Sequence, residues 1–193
     1  MSPPKYTQTS HGPRIDAFLR PVLTQARLKL NCEILTGETR HPDFENPDIV
    51  VKFSGPDVDL LLENKAELLL ALEQLTMEAL RMPPEEHSRL CFDANDYRML
   101  RIEELRLSAL SAAERVKRSG VPFRFNPMNS RERRIIHLAL RHETAVRSES
   151  AGLGPARQVI IYPANMPTPP FAEAVAAPAL AAGRGPLRRP RRR

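Results

Sequence analysis

Residues 126–137 read NPMNSRERRIIH, and this stretch determines how the second half of the chain is expected to fold. Asn129 stands three residues before Glu132, which is the spacing of a capping box. We therefore expect a helix over residues 130–142. On that helix the apolar side chains spread over about 200°, and the basic side chains gather within about 100° of the remainder. The basic ones are Arg133, Arg134, His137 and Arg141.

The narrow basic face of this helix is a candidate anion site. Like charges one helical turn apart repel by roughly a few tenths of a kcal/mol for each close pair, and an anion held between the guanidinium groups would offset that cost. The alternative is an ordinary arginine face that is solvated and binds nothing. Spacing alone leaves both interpretations open.

Outward from this helix, the apolar pattern predicts a small α+β unit over residues 95–162. A long helix is expected at residues 96–118, with buried candidates at Leu100, Leu107, Leu110 and Val116. Strands are expected at residues 123–125, 146–150 and 159–162. Residues 163–193 hold seven prolines and six arginines, a composition that cannot form a core, and we expect a disordered basic tail there.

Another α+β unit is expected at residues 13–94. Its order is helix, strand, strand, short helix, helix and strand, which is enough for one small sheet covered by helices. The expected helices cover residues 13–27, 60–62 and 67–81, and the expected strands cover residues 28–35, 49–53 and 89–93. Residues 1–12 are polar and show no apolar periodicity, so we expect them to be disordered.

Charge is divided unevenly along the chain. Residues 1–95 carry 10 basic and 15 acidic side chains, residues 96–162 carry 13 and 7, and residues 163–193 carry 6 and 1. The C-terminal half is therefore the half that an anionic ligand would favour. Aromatic residues make up only 5% of the chain and there is no Trp, so arginine is expected to supply most contacts with any nucleic acid.

Several classes of protein are disfavoured by the sequence. Cys32 and Cys91 stand far apart without a Cys-x-x-Cys spacing, which argues against a disulfide framework and a zinc site, and both are expected to be partly buried. No run of about 18 apolar residues and no secretion signal is present. We therefore expect a cytoplasmic protein with no membrane span, no cofactor and no small-molecule substrate. No motif of a nucleophile, paired acids or a phosphate loop points to an enzyme.

Arg133 and His137 stand four residues apart, and this pair resembles the signature of the R-3-H domain. The surrounding sequence resembles the Jag family of bacterial cytoplasmic proteins over about 70 residues. The matching positions are Asp93, Tyr97, Arg98, Arg101, Arg157 and residues 127–129, 132–137, 148–150, 154–155 and 159–161. The resemblance implies a type II KH domain followed by an R-3-H domain, in a protein that binds single-stranded nucleic acid, chiefly RNA, and is linked to sporulation or cell elongation.

The resemblance also assigns roles at the candidate site. It implies that Arg133 holds a phosphate through a bidentate guanidinium and that His137 supplies a hydrogen-bonding or stacking imidazole. Charge and helix face add Arg134, Arg141, Arg124 and Arg157 to the candidate nucleic-acid contacts. His137 is expected to be a contact rather than a catalytic base, because the sequence places no Ser, Cys or carboxylate to work with it. A hydrogen bond that fixes the helix is the alternative role for His137.

The expected KH-like unit departs from the family at one loop. A KH domain that binds RNA holds nucleotides on a Gly-x-x-Gly loop between two helices, because glycine lets the backbone approach the phosphates. The matching place here is residues 61–67, with Glu63 and Ala66 where the glycines would stand. We expect that this unit does not hold RNA in the usual way and that its loop is a protein-docking or structural element. The N-terminal Jag domain of many family members is also expected to be absent.

We expect a protein that binds single-stranded RNA through residues 95–162 with modest sequence preference, and single-stranded DNA is a second candidate ligand. The alternative is an adaptor that uses its acidic KH-like unit to bind a protein, such as another KH protein, as the resemblance implies. The arginine-rich end at residues 184–193 is expected either to add salt-dependent phosphate contacts or only to keep the chain in solution.

Overall fold

The computed structural model describes residues 4–37 and 41–167 of the chain. Its first compact unit ends at Glu103 and contains helices α1 (Gln8–Gln25) and α2 (Val58–Ala79), strands β1 (Asn31–Thr36), β2 (Ile49–Ser54) and β3 (Leu90–Ala94), and the start of helix α3 (Tyr97–Ser119). The second unit begins at Glu104 and contains the rest of α3, helix α4 (Ser130–Ala139) and strands β4 (Phe123–Arg124), β5 (Val146–Ala151) and β6 (Gln158–Pro163). The expected α+β class is confirmed.

The sheet of the first unit has β2 at its centre. Strand β1 runs antiparallel to β2, and β3 runs parallel to it. A parallel pair needs a long crossover connection, which α2 supplies between β2 and β3. The core lies between one face of this sheet and the two helices, and its buried side chains include Ile15, Leu19, Val51, Phe53, Leu69, Leu72 and Phe92.

Helix α1 begins five residues earlier than the sequence predicts. The Thr7 side chain accepts a hydrogen bond from the backbone N–H of Ser10 at 3.2 Å and so caps the helix. Pro13, where the apolar pattern places the start, lies inside the helix. The apolar periodicity shows where the helix becomes amphipathic, but it does not locate the capping side chain at which the helix begins.

The segment before α1 is held by contacts from far along the chain. The backbone N–H groups of Lys5 and Tyr6 donate to Asp48 Oδ2 at 3.0 and 3.1 Å, and the Tyr6 hydroxyl donates to Glu86. The Tyr6 side chain is only 7% exposed. The expectation that residues 1–12 are disordered is therefore wrong for residues 4–12, because no local pattern reveals such contacts; residues 1–3 lie outside the described residues.

Helix α2 is interrupted where the sequence predicts a loop between two helices. Residues 63–66 leave helical geometry, and Asn64, Lys65 and Ala66 have φ angles of 51°, 64° and 61°. The expected short helix and the longer helix after it are thus the two halves of α2. The second half ends at Ala79 rather than at residue 81.

The sheet of the second unit has β6 at its centre, antiparallel to both β4 and β5. Helix α4 packs on the face of this sheet that includes Ser148 and Ile161, which are cross-strand partners. Its start is as predicted, but it ends at Ala139, three residues early, since Leu140 already has a ψ angle of 5°. The capping box of α4 was readable in the sequence, whereas its last turn carries no comparable signal.

Helix α3 buries different residues from those the sequence predicts. Leu100 and Leu107 are 60% and 57% exposed, Leu110 is half-buried, and only Val116 of the four candidates is fully buried. The buried positions also include Ile102, Leu105, Ala109, Ala112 and Ala113. Three of these are alanines, so a search for large apolar side chains selects the wrong face.

Residues 164–167, which follow β6, are ordered. The Ala164 N–H donates to the Ala145 carbonyl at 3.0 Å, and Met166 packs against a cluster of buried side chains, namely Ala151, Ile160 and Tyr162. The expectation of a disordered tail is therefore wrong for residues 163–167. The remainder of the expected tail, residues 168–193, lies outside the described residues.

The two thiols differ in exposure. Cys32 is half-buried, as the sequence predicts, whereas Cys91 is only 1% exposed and so more deeply buried than expected; burial raises the pKa of each thiol. Within the described ranges, no helix is long and apolar enough to cross a lipid bilayer.

Candidate functional site

The start of α4 is built by reciprocal hydrogen bonds. Asn129 Oδ1 accepts from the Glu132 N–H at 2.9 Å, and Glu132 Oε2 accepts from the Asn129 N–H at 3.1 Å, so the expected capping box is confirmed. The Glu132 carboxylate stands where an anion would otherwise approach the positive end of the helix. An anion at α4 would therefore be held by side chains rather than by the helix terminus.

Arg133 is anchored by the segment that precedes its own helix. Its Nη1 donates to the Met128 carbonyl at 3.1 Å. The Met128 N–H in turn donates to the carbonyl of Arg157 at 3.1 Å, just before β6 begins. These two bonds bring the first turn of α4 close to the beginning of β6, although 24 positions separate residues 133 and 157 in the sequence.

His137 is held by two serines of β5. Its Nδ1 lies 2.7 Å from Ser148 Oγ, and its Nε2 lies 2.9 Å from Ser150 Oγ. The two serines reach the same ring because alternate residues of a strand face the same side. The sequence did not place these serines beside His137, because the contact crosses from a helix to a strand.

Arg133, His137 and Arg157 interact electrostatically, and we call these three residues the Arg–His cluster. Burial, followed by the charges of Arg133 and Arg157, lowers the pKa of His137 below its usual value of 6.5. Burial and the Arg157 charge also lower the pKa of Arg133. In residues 4–37 and 41–167, neither arginine of the cluster has an acidic side chain within ion-pair distance. The cluster is a concentrated positive charge without an internal counterion.

The structure places the other predicted site residues in three different positions. Arg134 is exposed on α4 and lies one turn before His137, beside the cluster. Arg141 lies beyond the end of α4, where its Nε donates to His142 Nε2 at 2.9 Å. Arg124 is the cross-strand partner of Ile160, and such partners share a face.

The face that carries Arg124 is the one opposite His137. Ile160 pairs with Glu149, whereas the serines that contact His137 are its neighbours Ser148 and Ser150, which point to the other side of β5. The structure therefore does not bring Arg124 into the Arg–His cluster. Its place in an edge strand of the sheet could not be predicted from charge alone.

The charges around His137 disfavour proton transfer from either serine to its imidazole. A catalytic base becomes an imidazolium during the reaction, and two nearby guanidinium groups make that state unfavourable. In the part of the chain that the structure describes, no carboxylate is hydrogen-bonded to His137 to offset this. Over the same residues, no group of three or more His, Cys, Asp or Glu is placed to hold a metal ion.

Tyr97 and Arg98 precede α4, belong to the positions that resemble the Jag family, and make structural contacts within the first unit. Arg98 donates to Glu45 at 3.2 Å and to Cys91 Sγ at 3.3 Å, and its backbone N–H donates to Asp93 Oδ1 at 3.1 Å. The Tyr97 hydroxyl donates to the Lys65 carbonyl at 3.1 Å. These contacts fix the start of α3 against β3 and against the turn inside α2.

Comparison with known proteins places the site in a family context. A model of the R-3-H domain matches residues 103–163, which contain the whole Arg–His cluster. The chain is 30% identical to the RNA-binding protein KhpB of Clostridium symbiosum over 144 residues, which cover 75% of this chain and 62% of that protein. It is 33% identical to the RNA-binding protein KhpB of Bacillus subtilis (strain 168) over 146 residues, which cover 72% and 69%. The matched regions thus span 62% to 69% of the length of these two relatives.

Proposed function

Because this chain belongs to the KhpB family, which is the Jag family, and carries an R-3-H domain, we propose that it binds single-stranded RNA through the Arg–His cluster. The observation that carries the proposal is the placement of Arg133 and Arg157 close together, joined through Met128, beside His137. Burial, followed by the charges of these two arginines, lowers the pKa of His137 and favours its neutral form. A phosphate is the ligand that such an arrangement fits best, since two guanidinium groups can each donate to it in a bidentate geometry.

The neutral state of His137 supports this role. A neutral imidazole adds no charge to two guanidinium groups that already repel each other, and its hydrogen bonds to Ser148 and Ser150 keep its ring fixed. When a phosphate enters, the negative charge favours the protonated imidazole. The site can thus gain a third positive charge when an anion binds.

We infer that the first unit is a degenerate type II KH domain that does not bind the RNA backbone. The order of its elements supports this inference, as does the turn at residues 63–66 between the two halves of α2. Glu63 and Glu67 bring negative charge to that turn, and no glycine is present there. Another KH protein remains the partner that the family resemblance favours for this unit.

We also infer that the protein is not an enzyme and that its affinity depends on phosphate contacts more than on base sequence. Single-stranded DNA carries the same phosphates, so we expect it to bind as well. The 2′-hydroxyl of RNA is the group through which the two ligands could be distinguished.

The test is a fluorescence-anisotropy titration of a labelled single-stranded RNA with the intact chain. Arg133→Ala and Arg157→Ala should each weaken binding about tenfold, the effect of losing one charge-assisted hydrogen bond. Each substitution should also reduce the slope of log affinity against log salt concentration by about 0.7. Circular dichroism checks that the variants remain folded.

Arg124→Ala is the matched control, because it removes the same charge from the opposite face of the sheet. We expect it to weaken binding by less than about threefold, through long-range electrostatics alone. The proposal fails if Arg124→Ala and Arg133→Ala weaken binding equally, or if the variant that lacks both Arg133 and Arg157 binds as tightly as the unchanged chain.

A further inference from the structure

Two phenylalanines lie together at the β4 edge of the second sheet. The ring centroids of Phe123 and Phe125 are 5.1 Å apart with an interplanar angle of 76°, and both side chains are half-buried. Rings this close and two residues apart must lie on the same side of the strand. In residues 104–167, the aromatic side chains are Phe123, Phe125 and Tyr162, so this pair holds most of the aromatic surface of the described second unit.

The phenylalanine pair lies on the same face of the sheet as the Arg–His cluster. Phe123 pairs with Ile161, and Ile161 pairs with Ser148. Cross-strand partners share a face, and Ser148 Oγ contacts His137. The two rings and the imidazole are therefore on one side of the sheet, whereas Tyr162 lies on the other side with Met166.

Phe125 is the nearer of the two rings to Arg157. Its backbone N–H donates to the Val159 carbonyl at 2.9 Å, so it lies beside Val159, two residues along an extended chain from Arg157. With strands about 4.8 Å apart and a rise of about 3.3 Å per residue, the Cα atoms of Phe125 and Arg157 are about 8 Å apart. One nucleotide can span this distance between its phosphate and its base.

Phe123 contacts two other side chains. The Arg115 guanidinium lies 5.7 Å from its ring centroid, and the rings of Phe123 and Phe125 pack in a T-shaped arrangement. The contact with Phe123 restricts the motion of the Phe125 ring. A ring held in this way loses little entropy when a ligand stacks on it.

We propose that Phe125 stacks on one nucleobase of the RNA whose phosphate is bound by the Arg–His cluster, an inference that rests on the proposed function. Stacking on a single ring tolerates any base, because every base has a π face. It requires a base that is not paired or stacked in a helix. Phe125 therefore selects single-stranded over double-stranded nucleic acid.

Phe125→Trp provides a direct readout, because the chain contains no other Trp. A base that stacks on Trp quenches its fluorescence. Single-stranded RNA should therefore quench the variant, and an abasic ribose-phosphate oligomer of the same length should bind without quenching it. If RNA binds this variant and leaves its fluorescence unchanged, the proposal is overturned.

Phe125→Leu tests the contribution to affinity, since it keeps an apolar side chain but removes the ring. We expect about a tenfold loss of affinity for single-stranded RNA and no change for the abasic oligomer. Leu107→Ala is the control, because the Leu107 side chain on α3 is 57% exposed. This substitution should leave the affinity for both oligomers unchanged. Equal affinity of Phe125→Leu and the unchanged chain for RNA would overturn the stacking role and leave phosphate binding intact. Failure of the unchanged chain to bind either oligomer would instead overturn the proposed function.

Discussion

At the scale of one residue, His137 shows which contacts of the candidate site can be predicted from the sequence and which cannot. The helix pattern placed it on one basic face with three arginines, and the resemblance to the R-3-H domain singled out the pair of Arg133 and His137. The serines that hold its ring lie 11 and 13 residues further along the chain, on a strand. A one-dimensional pattern predicts neighbours on one helix, but contacts between a helix and a sheet depend on how the two pack.

The lowered pKa of His137 predicts how stability depends on pH. The unfolded chain binds a proton near pH 6.5, whereas the folded chain binds it only at lower pH. The stability that comes from neutral His137 is therefore fully present above pH 6.5 and is lost as the pH falls through the folded-state pKa. Urea unfolding of the intact chain between about pH 7.5 and about pH 5 measures this loss.

His137→Gln should remove this part of the pH dependence, because glutamine does not titrate. His142→Gln is the control, since His142 is exposed at the end of α4. An unchanged pH profile in His137→Gln would show that burial and the two arginines do not set the protonation of this ring.

At the scale of the element, α2 shows what periodicity can and cannot predict. The break in its apolar pattern located a loop between two helices, and the structure has a turn there at residues 63–66. The pattern gave no sign that Asn64, Lys65 and Ala66 take left-handed backbone angles. Non-glycine residues rarely adopt them, because the Cβ atom then approaches the following carbonyl oxygen.

Lys65→Gly should raise the free energy of unfolding by up to about 1 kcal/mol, because glycine relieves the left-handed strain but makes the unfolded chain more flexible. The Lys65 side chain is exposed, and the bond from Tyr97 uses its backbone carbonyl, so the substitution removes no packing. Chemical denaturation measures the change.

Glu67→Gly is the matched control for this substitution. It lies just after the turn, in the helical second half of α2, where glycine costs up to about 1 kcal/mol. Stabilisation by Glu67→Gly, or destabilisation by Lys65→Gly, would contradict the assignment of strain to residues 64–66. RNA affinity should be the same in both variants, because neither residue belongs to the Arg–His cluster.

At the scale of the whole molecule, the charge division along the sequence predicts that an anionic ligand would favour the second half of the chain. The Arg–His cluster lies in the basic second unit, and the turn of α2 with its two glutamates lies in the acidic first unit. The contacts of Tyr6 with Glu86 and of Lys5 with Asp48 were not predictable, because they join residues more than 40 positions apart. Composition thus indicates which half favours an anion, whereas contacts between distant residues, such as those of Lys5 and Tyr6, depend on packing.

An NMR titration of the ¹⁵N-labelled intact chain with single-stranded RNA directly tests whether RNA binds to the second unit at the Arg–His cluster. Binding at the cluster should shift the amide signals of residues 128–137 and 148–159 with increasing RNA, while those of residues 58–67 keep their positions. Shifts concentrated in residues 58–67, with the signals of residues 128–137 unmoved, would contradict binding at the cluster.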